Sequence, residues 1–373
     1  MPLAITPLGL GDLSDLCVLI TGGAGFIGSR LAGTLVDKGC EVAVLDSLHP
    51  QVHGAGSRVN PLPPAATFLT ADVSSSSNWD TVLRRIRPPD VVVHLAAETG
   101  TGQSLTEASR HASTNVLGTT QLLDAFTRGG AVPGQLVLAS SRAVYGEGAW
   151  AGPDGVPFYP PPRSHQQLAA AQWDPIAPDG AAARPLTSQA DRTAAAPTNI
   201  YAATKLAQEH LMTAWGSAMD VPVSVLRLQN VYGPGQSLTN SYTGIVALFC
   251  RLACRSERID VYEDGVIHRD FVHVDDVVSA LVAAIDRPPA ARRLLDIGSG
   301  TATTVHQLAQ TIARIAGAPE PKVSGRFRDG DVRAAFCDIA PAERDLSWSP
   351  SYSLEAGLAA LVEWVAQDSA AEV

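Results

Sequence analysis

Lysine is nearly missing from this chain: Lys38, Lys205 and Lys322 are the only three among its 27 basic residues. Positive charge as a whole is also short, 27 basic against 37 acidic side chains, for a formal net charge of −10. A protein that grips nucleic acid must neutralise phosphates, so this balance argues against a general DNA- or RNA-binding role. Cysteine is sparse and odd in number (Cys17, Cys40, Cys250, Cys254 and Cys337), with no CxxC pair. Neither a disulfide framework nor a metal site is expected, and a reducing cytoplasm suits the chain. Nowhere do about 18 apolar residues run uninterrupted, so no membrane span is expected. The opening stretch MPLAITPLGLGDLSDL has no basic segment and is broken by Pro and Gly, unlike a secretory signal. What is abundant is apolar: 46% of the 373 residues, enough for one large or two ordinary folded domains.

The first half alternates two patterns. Short apolar runs at 16–21, 41–45, 68–71, 91–95 and 135–139 read as strands, with helical periodicity at 29–38, 79–87 and 115–128 between them. Such alternation predicts an α/β fold, a Rossmann-like doubly wound parallel sheet covered on both faces. Residues 146–198 break the rhythm with nine prolines and little periodicity. A loop that long is either functional or disordered. Helical periodicity returns over 201–218, a strand follows at 223–228, and a last helix is expected over 353–366. The expected division is a sheet domain over 1–228, carrying the Pro-rich insert, and a smaller C-terminal substrate domain over 229–373. Segment 264–285 is expected to return to the first.

The turn Thr21-Gly-Gly-Ala-Gly-Phe-Ile-Gly28 links the first strand to the first helix. Gly22, Gly25 and Gly28 permit a tight turn, close approach of a pyrophosphate, and close helix–strand packing. The helix then aims its partial positive charge at the phosphates. Glycines alone also make plain turns; the strand before and the helix after set this one apart. Asp46 closes the second strand 18 residues beyond Gly28. A carboxylate there accepts from ribose hydroxyls and repels a 2′-phosphate, which favours NAD over NADP.

Tyr201 and Lys205 stand four apart on a predicted helix and share a face. Random placement of seven tyrosines and three lysines in 373 positions yields only about 0.06 such pairs. A phenol titrates near 10, whereas a general base works best near 7, a gap of about 3 pH units or roughly 4 kcal/mol. An adjacent ammonium and a cationic nicotinamide are expected to close it. Ser140 and Ser141 end the fifth strand, where open α/β sheets place ligands. One hydroxyl is expected at the reacting oxygen and the other in a local turn.

TGGAGFIG (21–28), HLAAETG (94–100), SSRAVYG (140–146), YAATK (201–205), NVYGPG (230–235) and RDFVHVDD (269–276) follow one another as in the extended short-chain dehydrogenases/reductases, which the chain resembles over nearly its whole length. Within them it is similar to the nucleotide-sugar epimerases. Residues 46–54, the Pro-rich insert and 233–245 most resemble the dTDP-L-rhamnose 4-epimerases. The resemblance implies catalysis by Ser141, Tyr201 and Lys205. It implies NAD binding by Gly22, Gly25, Phe26, Ile27, Gly28 and Asp46, with Asp72 and Val73 at the adenine. Leu95, Ala96, Ala97 and Thr99 would line the cofactor further along, and Asn115 would sit near the active-site strands. Asn230, Arg269 and Arg328 would meet the sugar-nucleotide diphosphate, the arginines as planar forks for phosphate oxygens. Arg142 would reach the hexose or help hold the insert, although each arginine can equally serve a salt bridge.

Related dehydratases carry Asp-Glu just after the catalytic Thr or Ser, and related decarboxylases a Glu; here those positions are Arg142 and Ala143. What remains implied is a redox-neutral epimerisation at C4 of a nucleotide sugar, dTDP-L-rhamnose first. UDP-glucuronate or UDP-glucose is the alternative, and a non-catalytic NAD-binding scaffold a distant third. The resemblance also implies a cytoplasmic homodimer. His94, His268 and His273 are expected to pack or hydrogen-bond.

Overall fold

The computed structural model describes residues 11, 13–53, 60–238 and 244–370. Of the stretches singled out above, residues 1–10, 12, Gly54 and 239–243 lie outside them. Seven parallel strands form the main sheet: β1 (Cys17–Thr21), β2 (Glu41–Asp46), β3 (Thr67–Thr70), β4 (Val91–His94), β5 (Gln135–Ser141), β6 (Val223–Leu228) and β7 (Arg292–Ile297). Their spatial order is 3-2-1-4-5-6-7. The order reverses between β1 and β4, and ligands bind at such a switch point beyond the carboxyl ends of the strands. Every residue of β1, β4 and β6 is buried, as continuous apolar runs demand in a sheet covered on both faces.

One face packs on α1 (Phe26–Asp37), the other on α2 (Ser76–Arg85), α3 (Gly118–Gly129) and α4 (Ile200–Met219). A separate apolar core, with Phe249, Ile259, Leu308, Ile312 and Leu361, lies under α5 (Ile245–Cys254), α7 (Val305–Ala316) and α8 (Leu354–Ala370). The chain leaves the sheet after β6 and comes back through α6 (Val274–Asp286), which lies against α1, and then β7. No helix among the described residues is long and apolar enough to cross a membrane.

Two departures from the periodicity matter for the site. The stretch read as a helix from 115 instead opens with π-type turns over Ala112–Leu117 before α3. Asn115 explains the widening: its Oδ1 accepts from Glu98 N (2.7 Å), and its Nδ2 donates to Glu98 O (3.1 Å) and Thr204 Oγ1 (2.9 Å). The insert is also ordered. Trp150–Ala151 pairs antiparallel with Pro157–Phe158 and Arg184–Pro185, and a short helix spans His165–Ala169. Prolines on two of these two-residue strands suit a small sheet with little ladder to interrupt.

Candidate active site

A cleft of ≈ 1790 Å³ runs along the carboxyl ends of β1, β2, β4 and β5. Its floor at one end is the glycine turn. Gly22 has φ +68°, and a Cβ there would lie 2.7 Å from Ala96 N. A Cβ on Gly28 would lie 2.5 Å from Gly23 Cα. Neither site admits a side chain, so the first turn of α1 presents bare backbone N–H groups to the cleft, as an anionic pyrophosphate requires. Asp46 is pinned beside them, with Oδ2 accepting from Ala24 N (3.1 Å) and Oδ1 from Leu48 N (2.9 Å). His53 Nε2 stands 3.4 Å from the same Oδ1. A carboxylate held at the end of β2 suits the ribose of a dinucleotide.

The structure brings most of the anticipated residues to this one cavity. Gly22, Gly25, Phe26, Ile27, Gly28, Asp46, Asp72, Val73, Leu95, Ala96, Ala97 and Thr99 line it, as do Ser141, Arg142, Tyr201 and Asn230. Lys205 and Asn115 are buried just outside its wall. Arg269 is buried too, donating to His268 O and Val332 O (both 2.8 Å), and it contributes charge beside Arg142 rather than a surface of the cleft. Arg328 does not reach the cleft; it is exposed, its guanidinium 5.4 Å above the Tyr262 ring.

Ser141 ends β5 and caps the following turn, its Oγ accepting from Ala143 N at 3.1 Å. Its neighbour Ser140 faces away and donates to Glu209 Oε1 at 2.5 Å. Glu209 is also gripped by Arg227 through two bonds of 2.9 and 2.8 Å. Asn199 caps α4 by accepting from Ala202 N, so the first turn of that helix carries Tyr201 into the cleft. Burial pushes the Tyr201 phenol up from its ordinary value, while hydrogen bonding by Ser141 and the charge of Arg142 pull it down. Arg142 donates from Nε to Asn230 Oδ1 at 2.7 Å. Burial and the like charge of Arg269 push its guanidinium down to about 9, still protonated at neutral pH.

Lys205, four residues on from Tyr201, is buried beside other partners of its own. Lys205 Nζ donates to Gln208 Oε1 at 2.5 Å, and burial pushes the lysine down to about 7 against the opposing charge of Glu209. Arg142 adds a second cation near the phenol, and its charge pulls the Tyr201 titration down. His94 is fully buried between Thr21 and Gln208. Sequence reasoning missed Gln208, although it lies three residues from Lys205 on the same helix face. It also missed the Glu98–Arg110 ion pair (2.7 Å) on the cleft wall, for which no local pattern exists.

Comparison with known proteins agrees with this geometry. Residues 18–298 match the model of the NAD dependent epimerase/dehydratase family. The chain is 53% identical over 351 residues to the dTDP-L-rhamnose 4-epimerase of Burkholderia thailandensis, covering 94% of this chain and 95% of that protein. The structure is similar to UDP-glucose 4-epimerase of Thermotoga maritima with UDP-glucose (TM-score 0.74, 29% identity, 95% and 99% of the two chains). It is also similar to the UDP-glucose 4-epimerase of Thermus thermophilus in complex with NAD (TM-score 0.73, 26% identity, 94% and 99%). With a turn that admits only backbone and a tyrosine set across from it, the chain belongs to the NAD dependent epimerase/dehydratase family, and its cofactor is NAD.

Proposed function

We propose that the protein inverts C4 of dTDP-L-rhamnose to give dTDP-6-deoxy-L-talose, and the observation that carries this is the 53% identity spanning 94% of the chain. Gly22 and Gly28 would hold the dinucleotide's pyrophosphate and Asp46 its ribose. NAD, when bound, supplies a hydride acceptor and donor and a positive charge beside Tyr201. Tyr201 takes the proton from the C4 hydroxyl, and Ser141 hydrogen-bonds the same oxygen as it becomes a carbonyl. Tyr201 then returns the proton to that oxygen once the sugar has turned. Arg142, tied to Asn230 and reinforced by the charge of Arg269, binds the anionic substrate. No carboxyl group stands where elimination of a 6-hydroxyl would need one, since Arg142 and Ala143 follow Ser141.

A cytoplasmic homodimer completes this reading. Leu105 and Leu117 expose apolar surface on segments that pack against α4, and sedimentation equilibrium would test the pairing. The activity is tested by incubating the protein with dTDP-L-rhamnose, UDP-glucose and UDP-glucuronate and reading C4 configuration by NMR. Inversion of the deoxyhexose is expected. An unchanged C4 in dTDP-L-rhamnose beside inversion of either UDP-sugar would move the assignment to that substrate.

A further inference from the structure

Beneath Tyr201 lies a buried line of hydrogen bonds that local motifs do not reveal. Lys205 Nζ donates to Gln208 Oε1 (2.5 Å), and Gln208 Nε2 donates to Thr119 Oγ1 (2.9 Å) and lies 3.1 Å from His94 Nε2. His94 Nδ1 pairs with Thr21 Oγ1 at 2.7 Å, and Thr21 directly precedes Gly22 of the glycine turn. Gln208, His94, Thr119 and Thr21 are fully buried, and Lys205 is 3% exposed.

The directions of these bonds allow one orientation of the Gln208 amide. An ammonium only donates, so it takes the amide oxygen of Gln208 and leaves the amide nitrogen, also a pure donor, for the far side. Thr119 spends its proton on Asn115 O (2.6 Å), so its oxygen can accept. His94 Nε2 lies 3.0 Å from the same Thr119 Oγ1 as well as 3.1 Å from Gln208 Nε2, so the neutral ring can accept from the amide or donate to that hydroxyl oxygen. Burial and the charge of Lys205 hold His94 down at about 3, so the ring is neutral.

We propose that Gln208 is a positioning residue that keeps the Lys205 ammonium protonated and oriented in its buried seat, and through His94 and Thr21 ties that seat to the dinucleotide turn. This rests on Tyr201 and Lys205 being the working pair of the proposed epimerase. The ionisable groups facing Lys205 are Glu209 on its own helix, already held by Arg227 and Ser140, and His94 from β4. The charge of Glu209 opposes the burial of the lysine, and Gln208 is the side chain that accepts a hydrogen bond from the ammonium itself.

The test compares the parent holoenzyme with Gln208→Met, of similar length but without polar atoms, and Gln208→Glu, which adds a charge. Lysine-selective isotope labelling yields only three side-chain signals, and Lys38 and Lys322 are exposed, so Lys205 is the buried one. Gln208→Met is expected to move the lysine titration and the alkaline limb of kcat down by about one pH unit, lowering turnover above the limb about tenfold. KM should stay within about twofold. Gln208→Glu should move both upward. If Gln208→Met does not fold, the upward shift in Gln208→Glu alone decides. A lysine signal and an alkaline limb that stay at the parent's positions in the folded variants would overturn the proposal while leaving the epimerase assignment intact. Turnover surviving in Tyr201→Phe would instead remove both.

Discussion

The two walls of the cleft are built from different materials. The cofactor wall is backbone: a glycine turn where a Cβ would collide at 2.5–2.7 Å, the helix that follows it, and one carboxylate pinned by main-chain N–H groups. Behind the substrate wall, where the insert meets the C-terminal core, lies a charge cluster centred on buried Arg163, Glu263 and Arg333. Arg163 pairs with Glu263 (2.9 Å), and Arg333 pairs with Glu263 (2.9 Å), Asp264 (2.7 Å) and Asp174 (2.7 Å). Arg333 N also donates to Glu147 Oε2, 186 residues away in sequence. A backbone site must be written locally, in consecutive residues, whereas a site held by charges can recruit partners from anywhere in the chain. The cofactor wall therefore leaves a motif, and the substrate wall leaves only scattered arginines.

The largest expected effect falls where the walls meet. Tyr201→Phe should lower turnover by about 10²–10⁴-fold, while NAD extracted from the purified variant stays at the parent's level because the cofactor wall is untouched. Loss of NAD together with activity would show that the two walls are not separable.

The substrate wall can be broken from within. Arg333→Met leaves buried Glu263 with Arg163 as its remaining cation and removes the bonds to the more exposed Asp264 and Asp174. It should cost about 1.5–3 kcal/mol in urea unfolding, as loss of a charge-assisted hydrogen bond does. A loss below about 1 kcal/mol, typical of exposed pairs, would mean the cluster is not the anchor of the insert.

A third probe lies beneath both walls. Tyr145 donates to both oxygens of Asp296 (2.9 and 2.8 Å), and burial pushes Asp296 up to about 7 despite that bond and the charge of Arg227. An acid whose pKa is raised on folding holds its proton in the native state while the unfolded chain has lost it. Its contribution to stability therefore falls as pH climbs from about 4 to about 7. Between pH 5 and 7 the parent should lose on the order of 2 kcal/mol relative to Asp296→Asn. His94, held down at about 3, slopes the opposite way below its ordinary value but is common to both proteins and cancels. Equal pH dependence in parent and variant would place Asp296 in its charged form.

The smallest contrast separates two arginines that look alike in sequence. Arg142→Ala should raise KM about tenfold by removing a charge-assisted contact. Arg328→Ala, on the surface over Tyr262, should leave KM within about twofold. Equal effects would bring Arg328 to the substrate.

What was legible follows the same division. Strand after strand of the sheet, the glycine turn, Asp46 and the Tyr201–Lys205 spacing are short-range patterns whose physics is complete within a few residues. The seating of Gln208 against Thr119 and His94 and the neutral state of His94 depend on which atoms face each other across β4, α3 and α4. The fold of the insert rests on ion pairs to residues about a hundred or more positions away, as Arg163 and Glu263 show. Arg269 and Arg328 carry the same chemistry in sequence, and burial alone separates them.

In a redox-neutral inversion with NAD, one hydrogen leaves C4 and comes back to it without ever meeting water. dTDP-L-rhamnose carrying deuterium at C4, turned over in ordinary water, should give dTDP-6-deoxy-L-talose that keeps the deuterium at C4. Product with protium at that carbon would contradict it.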